Sequence, residues 1–166
     1  TPVSIASTKT LSGAITVTAG SIKFGETGTL ASSVSMSGGT LDADNSSTLS
    51  GTLTQSGNIT IDVADGKTLT YSGASLNLGA NTLTMSGEGT FSNSNALVLN
   101  NASSKLLLDS ITVDNVSTSA DNSGLDVDNN STVSSLTVAH TTPVSIASTK
   151  TLSGAITVTA GSIKFG

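Results

Sequence analysis

The sequence predicts an all-β chain: a single parallel β-helix, or β-solenoid, with three short strands per coil and about 20 residues per coil. Three observations predict it. The stretch TPVSIASTKTLSGAITVTAGSIKFG fills residues 1–25 and returns unchanged at residues 142–166, an offset of 141. A turn followed by Thr-Leu, or a close variant, recurs every 19 to 22 residues. Between these phrases, apolar residues come in strictly alternating pairs, the period of a strand with one side buried.

The long recurrence divides one continuous solenoid segment, 1–166, into a full tandem unit, 1–141, and the opening of the next, 142–166. Inside the unit the phrases STKTLSG, ETGTLAS, NSSTLSG, DGKTLTY, GEGTFSN, DSITVDN and NNSTVSS each carry one apolar anchor. The anchors are Leu11, Leu30, Leu49, Leu69, Phe91, Ile111, Val133 and, in the second copy, Leu152, at steps of 19, 19, 20, 22, 20, 22 and 19. One unit therefore holds seven coils. Taken as a single inward column, the anchors form one edge of the core.

Two further strands follow each anchor. They are marked by Ile15/Val17 and Ile22/Phe24, Val34/Met36 and Leu41/Ala43, Leu53/Gln55 and Ile59/Ile61/Val63, and Leu76/Leu78 and Leu83/Met85. Leu97/Leu99 with Leu106/Leu108 and Leu136/Val138 with Val144/Ile146 continue the series. Turn residues separate them, among them Gly38-Gly39, Asp65-Gly66, Ser86-Gly87, Asn100-Asn101 and Asn129-Asn130, which accept tight backbone geometry at low cost. Pro2 and Pro143 open strands, where a missing N–H is tolerated. Residues 115–124 offer only Val116 to a second strand, so a bulged or looped corner is expected there. Alternation points Gln55 inward, where its amide needs a partner or must turn out.

Composition narrows the class further. A hydrophobic fraction of 36% with 10% charge is wrong for a disordered Ser/Thr-rich chain. Net charge is −5 with no arginine, which makes nucleic acid a poor partner. Cysteine is absent, and no apolar run approaches the roughly 18 residues of a membrane span. No signal peptide is visible, and an export signal and anchor are expected outside this window.

The phrases TLSGAITVTAGSIKFG, GTLTQSGNITIDVADGKTLTYSG and ASLNLGANTLTMSGEGTF resemble the β-helical passenger regions of bacterial autotransporters and other large surface adhesins, and are most similar to autotransporter-associated β-strand repeats. That resemblance implies a right-handed parallel β-helix, export to the cell surface, and a role as stalk or adhesive fibre. The strong right-handed preference of parallel crossovers points the same way. Neighbouring copies, head-to-tail in one chain or filament, are the expected partners, with surface glycans a further candidate.

Catalytic chemistry has little to work with. The one histidine, His140, sits in a turn and is expected to be solvated, and no cysteine or arginine is present to build a nucleophile or oxyanion site. The segment is accordingly expected not to be an enzyme. Carbohydrate-cleaving β-helices are the enzyme alternative, and Asp42/Asp44 and Asp126/Asp128 are i, i+2 carboxylate pairs on one strand face that also suit plain solvent exposure. No cofactor is implied. Asp121, Asp126 and Asp128, in the oxygen-rich stretch 121–130, are the one calcium candidate, with an acidic turn as the simpler account.

The residue before each anchor is Thr10, Thr29, Thr48, Thr68, Thr90, Ser110 or Thr132, an outward hydroxyl ladder. Ice-binding solenoids carry Thr-x-Thr arrays. Here the second column, Ser12, Ala31, Ser50, Thr70, Ser92, Thr112 and Ser134, is mixed, so β-propensity and hydroxyl pairing suffice to explain it. Six glycosylation sequons begin at Asn45, Asn58, Asn101, Asn115, Asn129 and Asn130, as a chain so rich in Asn, Ser and Thr produces by composition.

Overall fold

The computed structural model describes residues 2–5, 9–121, 123–146 and 149–165. Within them the chain is all β, with 22 strands and every strand pair parallel. It climbs as a β-solenoid of about eight turns around three faces. The first face is an unbroken ladder of nine strands, from Val3–Ser4 through Ser21–Phe24, Thr40–Ala43, Ile59–Val63, Thr82–Ser86, Lys105–Asp109, Gly124–Val127 and Val144–Ile146 to Ile163–Phe165. The second starts with Thr10–Leu11, Thr29–Leu30, Ser47–Leu49, Thr68–Tyr71 and Thr90–Asn93. The third starts with Ile15–Val17, Val34–Met36 and Leu53–Gln55 and resumes at Leu76–Asn77 and Leu97–Leu99. In the later coils single long strands, Thr112–Thr118, Ser131–Ala139 and Leu152–Ala160, run around the corner from the second face to the third. No helix among the described residues is long and apolar enough to cross a membrane.

The alternation places the side chains as expected. Ile22, Leu41, Ile61, Leu83, Leu106 and Leu125 point into one continuous aliphatic core with their outward neighbours at least partly exposed. Burying each such side chain contributes about 1.5–3 kcal/mol before ordering entropy is subtracted. Pro2 and Pro143 immediately precede strands, and Gly39, at φ 87°, turns a corner beneath which the Gly20 carbonyl lies too close for any Cβ.

The register departs from the single anchor column. Leu11, Leu30 and Leu49 do stack, but Leu49 is opposite Tyr71, while Leu69 lies opposite Ser47 below and Phe91 above. Phe91 meets Val113 instead of Ile111, and Leu152 meets Ser131 instead of Val133. Each departure is a slip of two residues. Such a slip leaves every side chain on its own face, so the period-two pattern is blind to it. The first slip coincides with the turn Asp65-Gly66, closed by the Lys67 amide donating to the Ala64 carbonyl at 3.0 Å just before the strand Thr68–Tyr71.

The corner expected over 115–124 is tighter than that. Residues through Thr118 remain a strand, with Val116 buried between Leu97 and Leu136 and Thr118 fully buried between Leu99 and Val138. Thr118 fills an inward slot because its hydroxyl donates to the Thr137 carbonyl at 3.4 Å. The chain then turns within Ala120–Ser123, where the Ser123 amide donates to the Ala120 carbonyl; Asn122 lies outside the described residues.

The two copies of the 25-residue stretch occupy opposite ends of the stack. Phe24 in the first is fully buried beneath the next coil, while its counterpart Phe165 is 74% exposed. The same sequence forms Thr10–Leu11 and Ile15–Val17 as separate short strands in the first copy and one strand, Leu152–Ala160, in the second.

Candidate functional site

The corrected register rebuilds the second face. Thr10, Thr29, Thr48 and Thr70 lie in one outward column, which continues through Ser92. Thr68, Thr90, Thr112 and Thr132 lie in another, two residues away along each strand. The rows read Thr27/Thr29, Ser46/Thr48, Thr68/Thr70, Thr90/Ser92, Thr112/Asp114 and Thr132/Ser134, a two-column grid in which every position is at least partly exposed. The sequence reading missed it because the anchor alignment merged the two columns into one ladder and gave the second an arbitrary mixture. Between the columns in the lower coils runs a shallow trough of about 330 Å³, lined by Thr27, Thr29, Ser46, Thr48, Thr68 and Thr70, with Lys9 at its margin.

The grid's hydroxyls differ in what they do. None of its eight threonine hydroxyls bonds to another described residue. Ser46 Oγ accepts the Thr68 amide at 3.1 Å, and Ser92 Oγ and Ser134 Oγ donate to the two Asp114 carboxylate oxygens at 2.7 and 3.2 Å. Asp114 is the one acidic or basic side chain in the six rows.

Charge gathers on the first face instead. Lys23, Asp42, Asp62, Ser86 and Asp109 follow one another in a single outward column. Lys23 Nζ bridges Asp42 at 3.0 Å and Asp44 at 2.8 Å, so one cation from the coil below is shared by both carboxylates of that pair. The hydrogen bond from Lys23 holds the Asp44 carboxyl below its ordinary value and raises the lysine, chiefly through the same bond.

The calcium candidates are spread out. Asp126 and Asp128 point outward from the strand Gly124–Val127 and its end, and Asp121 sits at the corner that precedes this strand, one coil below Thr141. The Asp121 carboxylate accepts the Thr141 amide at 2.7 Å and the Thr141 hydroxyl at 2.8 Å, bonds that hold it below the ordinary carboxylate value. Among the described residues no three acidic or histidine side chains converge as a metal site. His140 is a correction: the expected solvated turn residue is only 3% exposed, and neither ring nitrogen has a hydrogen-bond partner. It follows Ala139, which pairs with Ala160, so the coil above covers the corner.

Polar groups inside the stack knit coils together. Asn93, fully buried, donates to the Asn95 and Asn115 carbonyls at 2.9 and 2.8 Å and accepts the Asp114 and Asn115 amides at 3.2 and 3.3 Å. The sequon asparagines are used in the same way: Asn45, Asn115 and Asn129 spend their side-chain amides on Gly25, Asn93 and Asp109 of the coil below. Gln55 points inward as alternation requires, its amide donating to the Thr82 carbonyl at 2.7 Å and its Oε1 unpartnered. It lies at a break in the third face, where Leu53–Gln55 does not ladder onto Leu76–Asn77. There Tyr71 is spliced in: its hydroxyl accepts the Leu53 amide at 3.1 Å and donates to the Ala74 carbonyl at 2.7 Å.

No protein-family profile, curated protein or solved structure matches this sequence. The β-solenoid and its surface carry the functional argument alone.

Proposed function

We propose that the chain is a structural, non-catalytic stretch of a long extracellular fibre or cell-surface adhesin, in which stacked coils set the length and stiffness of a rod and further copies follow head-to-tail in one chain or filament. The recurrence at opposite ends of the stack carries this reading. In the first copy Ile22 and Phe24 are covered by Leu41 and Ala43 of the next coil, and the second copy offers the same residues, Ile163 and Phe165, in the same first-face ladder. A further unit therefore meets a surface whose match is already defined. Parallel strands add about 4.8 Å per coil, so seven coils lengthen such a rod by roughly 34 Å per unit. Stability is then a nearest-neighbour sum that survives indefinite extension.

Antibodies raised against the chain test the reading on intact cells of the organism that carries it. Immuno-electron microscopy is expected to label thin surface fibres. Label confined to permeabilised cells would defeat it.

A further inference from the structure

We propose that the second face binds ice, through the two-column threonine grid. A crystal of water offers no pocket and no charge to recognise, only a lattice repeated over a flat surface, and each protein contact with it competes with liquid water. Recognition therefore needs many identical weak contacts held rigidly at matching intervals. The grid supplies eight threonines over its twelve positions, in rows about 4.8 Å apart along the stack and columns roughly 6.7 Å apart along each strand, both close to oxygen repeats on the prism surface of hexagonal ice. Threonine brings two groups per position, a methyl around which water can be caged and a hydroxyl that anchors the cage. The eight threonine hydroxyls make no bond within the described chain and are free to do so.

Two features of the molecule favour ice over other periodic surfaces. Charged groups hold hydration shells of their own, and the chain keeps its outward carboxylates Asp42, Asp62, Asp109 and Asp126 on the first face, leaving Asp114 alone within the grid. A mineral would be met by that acidic face. Crystalline polysaccharides are gripped by exposed aromatic rings, and the rings nearest the grid, Tyr71 and Phe91, are buried and stacked on each other at 5.9 Å.

Growing an ice hemisphere slowly in a dilute solution of the labelled chain tests the proposal. The chain is expected to enter the ice, and Thr48→Tyr with Thr90→Tyr, which raise bulk in the middle of the grid, to be left in the liquid like an ice-excluded reference protein. Thr60→Tyr, outward on the first face, is expected to enter ice like the parent. Circular dichroism melting checks that each variant folds. Should the grid variants unfold, Asp114→Thr decides instead, with greater uptake than the parent expected and equal or lower uptake counting against the proposal. Exclusion of the parent from ice overturns it, as does uptake by folded grid variants, or binding to insoluble cellulose or chitin by a chain that ice excludes. None of these outcomes bears on whether the solenoid is a fibre segment.

Discussion

Removing one oxygen at the break in the third face isolates a single junction. Tyr71→Phe keeps the ring, its stacking on Phe91 and the core volume, and deletes only the hydroxyl that joins Leu53 to Ala74. Leu53 is buried, so its amide is left without a partner, at about 1–3 kcal/mol; the Ala74 carbonyl, at an exposed residue, can turn to water and loses only the net value of a bond, about 0.5–1.5 kcal/mol. The expected loss is about 2–4 kcal/mol, read by urea unfolding, with faster amide exchange at Leu53. Alkali adds a second signature. Burial raises the Tyr71 phenol above its ordinary value of 10.0, against the opposing effect of the Leu53 bond. Its contribution is thus intact below pH 10.0 and lost as pH rises through the folded-state value, because the unfolded chain ionises first. The variant should lack that alkaline decline relative to the parent. A loss under about 0.5 kcal/mol with Leu53 exchange unchanged would refute the splice, since an unmade buried bond costs more than that.

Leu76→Asp places an unpaired carboxylate in the aliphatic core and should cost several kcal/mol, whereas Thr68→Ala on the outer face should cost under about 1 kcal/mol; equal losses by chemical unfolding would mean the inward and outward assignments are wrong. Gly39→Ala demands a positive φ and meets the Gly20 carbonyl, so a destabilisation above about 1 kcal/mol is expected by thermal melting, and a neutral result would show the corner to be freely adjustable. Asp121 is held below its ordinary value of 3.8 by its bonds to Thr141, so its contribution is present above pH 3.8 and fades as pH falls further. Asp121→Asn should flatten that acid-side decline, and an NMR titration placing the Asp121 carboxyl at or above 3.8 would contradict the contact.

The fold was legible because a solenoid writes its period into the chain. The identical stretch shows a recurrence at an offset of 141, and alternation through Ile22/Phe24 or Leu106/Leu108 assigned the faces, because a strand has only two sides. Register was not legible. Leu49 over Tyr71 and Leu49 over Leu69 satisfy the same alternation, and the choice is made by how many residues the Asp65-Gly66 turn takes up, which no apolar pattern records. The threonine grid was hidden by the same ambiguity. His140 misled for a different reason: its neighbours in sequence read as a turn, and burial came from the coil above. Gln55 and Thr118 were the reverse, polar residues whose inward placement alternation gives correctly and whose partners come from coils 27 and 19 residues further on.

The central claim is that the unit repeats as one unbroken rod. Small-angle X-ray scattering on the chain and on a chain lengthened by one 141-residue unit tests it directly. The account predicts the same cross-section and a maximum dimension greater by roughly 34 Å, seven coils at strand spacing. A thicker particle of unchanged length, or two bodies joined by a flexible link, would contradict it.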